Sequence, residues 1–293
     1  MAAAAAAVPA AAVVLPRGRR RTLSVLSLNM WAYLAAYELP HDDPEALEAR
    51  VRIDYPIAVD RVLGLGEAPT VRLQRGFARS GYINRVERVL VWCHWVWFAV
   101  PHASVGYVLL RRPERFPAAA ARMYAVFDLG AMFYWAMPTA PPWYAARHGR
   151  FDPAGPSDPA HPAHAGDADL AGGVRVRRMM IEYGEQFWGD RWPDLYDVLG
   201  GNPLAAMPSL HFATSLMGAH LLSEVGPVAG AVGWAYALTL GTALVYLGEH
   251  YAADLLGGAA LAEAVRTGAP PLTPAARRIV GALEMLSRRT AAG

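Results

Sequence analysis

PVAGAVGWAYALTLGTALVYLGEHYAADLLGGAALAEAV, residues 227–265, is the stretch that decides the fold. From Pro227 to Gly248 it carries no charged side chain, and about 20 apolar residues suffice to cross a bilayer core of ~30 Å as a helix. Glu249, His250 and Asp254 then interrupt the apolar pattern, where an unpaired polar group is costly. A histidine and an aspartate four residues apart share one helix face. The carboxylate can then hold the imidazole in one tautomer and leave its other nitrogen free for chemistry. About forty residues upstream, NPLAAMPSLHFATSL (residues 202–216) contains His211, close enough for a neighbouring helix to bring it opposite. Two histidines and an aspartate facing each other at a membrane boundary read as a catalytic site.

The composition agrees with a membrane protein: 54% of the 293 residues are hydrophobic and only 18% charged. All 27 basic residues are arginine, and the net charge of +2 is too small to imply nucleic-acid binding. The single cysteine, Cys93, rules out an intrachain disulfide. Residues 1–21 place their arginines after the small apolar run, the reverse of a secretory signal, and read as a disordered tail ending in a basic anchor.

Six apolar segments recur along the chain: Thr22 to Leu39, Val89 to Leu110, Ala118 to Pro138, Met207 to Leu222, Pro227 to Leu247 and His250 to Val265. Between the first two, Asp42 to Arg88 has the spacing of amphipathic surface helices. Residues 139–203 form a polar insertion with a loop-like Pro/Gly/Ala/Asp-rich middle. Its second half, from Val174 to Leu199, suits an amphipathic helix with Trp188 and Trp192 near the lipid surface. With six spans, Arg17 to Arg21, Arg111 to Arg115 and the arginines from Arg266 to Arg289 fall on one side, which the positive-inside rule makes cytoplasmic. The insertion and the starts of the His211 and His250 helices then share the extracytoplasmic face. Asp128, inside a span, needs a partner such as Arg122 or a group on another helix.

With Asp254 taking the proton on one nitrogen, the other nitrogen of His250 becomes a directed nucleophile or base. Pro208 suits a first helical turn, whose free N–H groups, with the Ser209 hydroxyl, attract an anion such as phosphate. His211 projects to the same place and can protonate a leaving oxygen. Residues 138–148, PTAPPWYAARH, leave the third span on the same face. There Arg147, with Tyr144 on the same element, is placed to meet phosphate oxygens. Glu249 reads as a surface group. Two histidines inside a membrane also suit haem or metal ligation, with His94, His102 and His220 available.

Together these motifs resemble the type 2 phosphatidic acid phosphatase superfamily, in particular the branch of inositol phosphorylceramide synthase and its bacterial relatives. The resemblance rests on PSLH (Pro208 to His211), HYxxD followed by Leu and paired glycines (His250 to Gly258) and APPW (Ala140 to Trp143). It covers about Thr22 to Val265. It implies that His250 forms a phosphohistidine, Asp254 orients it and His211 protonates the leaving alcohol. The superfamily's lipid phosphatases carry a Ser-Arg pair where this chain has Ala243 and Leu244, which favours the synthase-like branch. Arg112-Pro113 resembles the end of their first motif but falls on the opposite face. Arg147 is then the leading phosphate cation, with Arg175, Arg177 and Arg178 as substitutes.

The expectation is an all-α polytopic membrane bundle of about six transmembrane helices with amphipathic surface helices. Its parts are a tail (1–21), a membrane domain (22–267) and a cytoplasmic amphipathic tail (268–293). It would sit in the plasma membrane with its site facing outward. The expected activity is transfer or hydrolysis of the phosphoryl head group of a phospholipid or polyprenyl phosphate, with no metal or cofactor required. The non-enzymatic alternative is a membrane protein that binds or transports lipid phosphates.

Overall fold

The structure, a computed structural model, describes residues 14–15, 18–38, 44–79, 81–151, 176–199 and 202–290. It is helical throughout, with isolated backbone bridges as its only β-type pairing among these residues. Helices α1 (Arg19–Glu38), α2 (Pro44–Glu48), α3 (Asp54–Leu63) and α4 (Pro69–Phe77) lead to α5 (Arg85–Trp95), which a 3₁₀ turn joins to α6 (Val100–Arg111). Then follow α7 (Phe116–Ala136), α8 (Pro142–Arg147), α9 (Met179–Trp188), α10 (Trp192–Leu199), α11 (Leu210–Val225), α12 (Pro227–Tyr246) and α13 (Ala252–Thr290).

Local chemistry sets these boundaries. Asn84 and Glu87 form a reciprocal capping box at the start of α5. Proline occupies the first turn of α6, α7 and α12, where its missing N–H costs nothing. The same chemistry breaks the expected straight span from Val89 to Leu110. Pro101 can neither donate to the preceding turn nor avoid its carbonyl, and α5 with its 3₁₀ turn meets α6 at a 60° bend.

The core is built by α6, α7, α11, α12 and α13, with Met123, Val126, Met217, Leu221, Leu240 and Leu244 buried at its centre. Helix α1 docks on α7 through Tyr33 against Phe127 and through Asn29, whose amide donates to both oxygens of Asp128 (3.2 and 3.3 Å). The partner of Asp128 is therefore on another helix. Arg122 instead forks Glu224 at the end of α11 (2.6 and 2.9 Å).

Among the described residues, α12 alone is long and apolar enough by itself to cross a membrane, and the bent α5–α6 pair is a second candidate if taken as one span. Helix α11 has only 16 residues. The C-terminal amphipathic segment is no separate element: α13 runs unbroken from the site through Pro270, Pro271 and Pro274. The insertion's second half is two helices, parted at Gly189 (φ 55°). Trp192 turns inward against Trp95 rather than to a lipid surface and is 5% exposed. The N-terminal tail through residue 13 and the Pro/Gly/Ala/Asp-rich stretch lie outside the described residues.

Above the bundle, three distant segments pair through their backbones. Thr139 bridges to Arg52 on one side and Ala205 on the other, with N–H···O contacts of 2.8 to 3.1 Å. This small roof fixes the chain that enters α11.

Candidate active site

Ser209 caps α11, its hydroxyl accepting the Phe212 N–H (3.3 Å). The Tyr134 hydroxyl donates to the Pro208 carbonyl (2.9 Å) and accepts the Leu210 N–H (3.3 Å). Two first-turn N–H groups and the Ser209 hydroxyl are thus engaged within the fold. Ser209 is fully buried and does not line the cavity described below. Ser209, expected to meet a phosphate, here serves as the cap of α11.

His250 follows a reversal at Gly248 (φ 81°), where a Cβ would sit 2.5 Å from Val176. Helix α13 begins two residues later, and buried Asp60 of α3 accepts the N–H groups of Ala252 (3.1 Å) and Ala253 (2.8 Å). This carboxylate caps α13 from 192 residues away; burial pushes its pKa up to about 6 against the pull of the two N–H bonds. Asp254 Oδ2 accepts the Tyr251 N–H (2.9 Å) and the His250 Nδ1–H (3.3 Å). His250 Nε2 lies 3.2 Å from His211 Nδ1.

Paired glycines permit this approach. A Cβ on Gly257 would come within 2.5 Å of Met207 Sδ, and one on Gly258 within 2.5 Å of the Ser209 carbonyl oxygen. With hydrogen in those places, α13 lies against the start of α11 and Ser209 N–H donates to the Asp254 carbonyl (3.0 Å). His211, His250 and Asp254 are therefore brought together from two helices.

The two histidines line a cavity of about 240 Å³. Its polar lining includes His94, Arg178, Tyr196, Asn202 and Glu249, and its apolar lining includes Met30, Leu34, Phe98, Pro101 and Phe127. His94 stacks on His211 with ring centres 4.7 Å apart, and Trp97 packs against it at 4.1 Å. His94 is buried, with no hydrogen-bond partner for Nδ1 among the described residues. By sequence alone His94 is a haem-ligand candidate and nothing more. An aromatic, histidine-bearing stretch inside an apolar run was the one signal available for it.

Among the described residues, the cation lining this cavity is Arg178. Its guanidinium lies 3.7 Å from the Trp143 ring centre and donates to the Tyr196 hydroxyl (2.7 Å). Arg147 and Tyr144 do not line the cavity. Helix α8 turns them away, with Tyr144 stacked on His148 (4.2 Å) and Arg147 at 5.7 Å from Trp143. Arg177 is engaged by Glu182 and by the carbonyls of Arg79 and Tyr82, and Arg175 lies outside the described residues. Arg115 reaches the Glu224 carbonyl, so Arg112-Pro113 sit near the end of α11 opposite His211. Ala243 and Leu244 are fully buried in the core.

Glu249 is not a surface group. It lines the cavity, its Oε1 is out of contact with solvent, and burial raises its pKa against the opposing pull of Arg178 and His250. Composition gave no hint, because a Glu beside a turn glycine is ordinarily solvated.

The sequence model of the PAP2 superfamily matches residues 57–266. The chain belongs to the PAP2 superfamily. It is 29% identical over 174 residues to the inositol phosphorylceramide synthase catalytic subunit of Schizosaccharomyces pombe, covering 57% of this chain and 37% of that protein. It is 31% identical over 173 residues to the inositol phosphorylceramide synthase of Candida albicans, covering 57% and 33%. The chain thus spans about a third of the length of the curated relatives it matches. No solved structure matches it. It is a lipid phosphatase/phosphotransferase-like member of the superfamily, distantly related to inositol phosphorylceramide synthases. Superfamily members act on lipid phosphates and are typically integral to the membrane.

Proposed function

We propose that this PAP2 protein is a membrane phosphotransferase that moves the phosphoryl head group of a phospholipid or polyprenyl phosphate to an acceptor alcohol through a phosphohistidine. The observation that carries the reading is the chain of contacts from Asp254 through His250 to His211, with both histidines lining a mainly apolar cavity that also holds polar side chains.

Asp254 holds the proton on His250 Nδ1, so the lone pair on Nε2 points to the cavity end. Nε2 attacks phosphorus, the bond from phosphorus to the lipid alcohol breaks, and His211 gives that oxygen a proton. In the second step His211 takes the proton of the acceptor hydroxyl, whose oxygen attacks phosphorus and frees Nε2. Arg178 meets the equatorial oxygens, where a cation stabilises charge that grows in the transition state. The contact of 3.2 Å between the two rings leaves no room for phosphorus, so a substrate must part them. The apolar wall suits an acyl or prenyl chain.

About six helices, α1, α5–α6, α7, α11, α12 and the first half of α13, form the membrane bundle in this reading. The arginine-rich ends lie in the cytoplasm and the site faces outward.

The test is product formation from lipid phosphates by the full chain in detergent with EDTA, wild type beside His250→Ala. A new phosphodiester, lost in the variant, supports transfer; free phosphate makes the protein a phosphatase. Binding without turnover in either protein leaves a lipid-phosphate carrier and sinks the catalytic reading.

A further inference from the structure

The break between α5 and α6 brings two rings onto one histidine. His94 lies in the last turn of α5 and Trp97 in the 3₁₀ turn that follows, three residues apart, a spacing that sets side chains on one face. Both meet His211. The His94 ring stacks on its imidazole, with ring centres 4.7 Å apart and planes at 30°, and Trp97 packs at 4.1 Å. Trp97 is pinned in that place: its indole N–H donates to the Thr214 hydroxyl (2.9 Å), which in turn donates to the Leu210 carbonyl (2.7 Å). Leu210, His211 and Thr214 all belong to the start of α11, so the indole and the histidine share one frame. His94 Nδ1 is buried with no hydrogen-bond partner among the described residues; what His94 offers His211 is its face.

A neutral imidazole is a poor acid, so His211 must carry a positive charge when it protonates the leaving oxygen. An unpaired charge in a mainly apolar surrounding is costly. Asp254 is engaged by His250, and among the described residues no carboxylate bonds to the His211 ring. An aromatic face is the remaining source of attraction for a cation there, and indole is the strongest aromatic side chain in that role. Resting on the phosphotransferase reading above, we infer that His94 and Trp97 are positioning residues for the acid: together they grip the His211 imidazole, and the Trp97 face stabilises its protonated form. The imidazolium gives its proton to the departing oxygen as the bond from phosphorus to that oxygen breaks, and the two rings act only through His211.

The test gives the full chain in detergent two lipid phosphates, each the phosphate of a phenol bearing the same alkyl chain, one with and one without a nitro group on the ring. Their sizes are close, so a change in the cavity cancels in their ratio, while only the plain phenol leaves poorly enough to need the acid. In Trp97→Leu the ratio of kcat/KM for the plain ester over the nitro ester should fall about 3- to 30-fold, the worth of a cation–π contact, and Trp97→Phe should keep most of it. His94→Leu should shift the ratio the same way, and His94→Phe should hold it. Thr214→Val frees the indole N–H and keeps both rings; it should move the ratio in the same direction, and it carries the test if Trp97→Leu does not fold. An unchanged ratio in folded variants, with equal losses on both esters, gives the rings a structural role only; it overturns the inference and leaves the phosphotransferase reading standing. So does a fall in His94→Phe as large as in His94→Leu, since a ring nitrogen and not the ring face would then be at work. Wild type inactive on both esters overturns the reading beneath it as well.

Discussion

Gly258→Ala should disable the site without touching a catalytic group. The added Cβ would sit 2.5 Å from the Ser209 carbonyl oxygen and 3.3 Å from the Ala213 nitrogen. Both are backbone atoms, so no side chain can swing aside. Carbon and carbonyl oxygen meet without overlap at roughly 3.3 Å, so α13 and the start of α11 must part by about 0.8 Å. That strains the Ser209 N–H to Asp254 carbonyl bond and moves Asp254 and His250 away from His211. Misplacing reacting groups by ~1 Å costs about 100-fold in rate, and overpacking a tight contact about 1–3 kcal/mol. The assay is lipid turnover beside thermal unfolding in detergent, with Gly268→Ala as control. Gly268 lies in the same helix with open space around its Cβ position; there alanine should stabilise by up to ~1 kcal/mol through helix propensity alone. A Gly258→Ala protein with wild-type turnover would refute the claim that this contact sets the histidine geometry.

Three other outcomes follow from the same geometry. His211→Ala should lose about 10²- to 10⁴-fold on a lipid phosphate and recover on an ester with an acidic leaving alcohol such as p-nitrophenol, whereas His250→Ala stays inactive on both; equal recovery would unseat the assignment of acid and nucleophile. Arg178→Ala should lower kcat/KM about 10- to 100-fold and Arg147→Ala by less than about threefold, and the reverse order, measured on one lipid phosphate, would restore Arg147 as the phosphate ligand. Asp60 has its pKa raised from 3.8 to about 6 by burial, so the folded state holds that proton more tightly than the unfolded chain. Its contribution to stability is full below pH 3.8 and lost as pH rises through about 6; Asp60→Asn should flatten that part of a melting-temperature profile against pH, and an unaltered profile would count against it.

The sequence made the proposed trio of His211, His250 and Asp254 legible because each member carries its chemistry in its residue type and spacing. His250 and Asp254 share a helix face by arithmetic, and an apolar flank makes any polar group there conspicuous. The apolar segments also forecast most of the long helices. The groups that hold the trio are not of that kind. Asp60 caps α13 from a surface helix whose own pattern is merely amphipathic. Tyr134 clamps the entry to α11 with a hydroxyl at the end of an apolar run. Their partners are backbone atoms, and backbone positions are set by tertiary packing. Arg147 and Arg178 show the same limit: both flank Trp143, one from the end of α8 and one from the start of α9, and only tertiary packing puts Arg178 in the cavity lining.

Whether the proposed phosphohistidine meets water or an alcohol turns on the surroundings of these groups, since both reactions would use the same acid and nucleophile. His250 is 4% exposed, and its Nε2 is covered by His211 until a substrate parts the rings. His211 is itself walled by His94 and Trp97. An apolar chain lying along Met30, Leu34 and Phe127 would exclude solvent from that side of the cavity, and a second amphiphile can follow the first along the same wall more readily than water can gather there. Hydrolysis needs an ordered water close to phosphorus, and the packed rings around His211 offer it few polar contacts. The enclosure of the histidine pair therefore favours an alcohol in the second step, whichever lipid supplies the first.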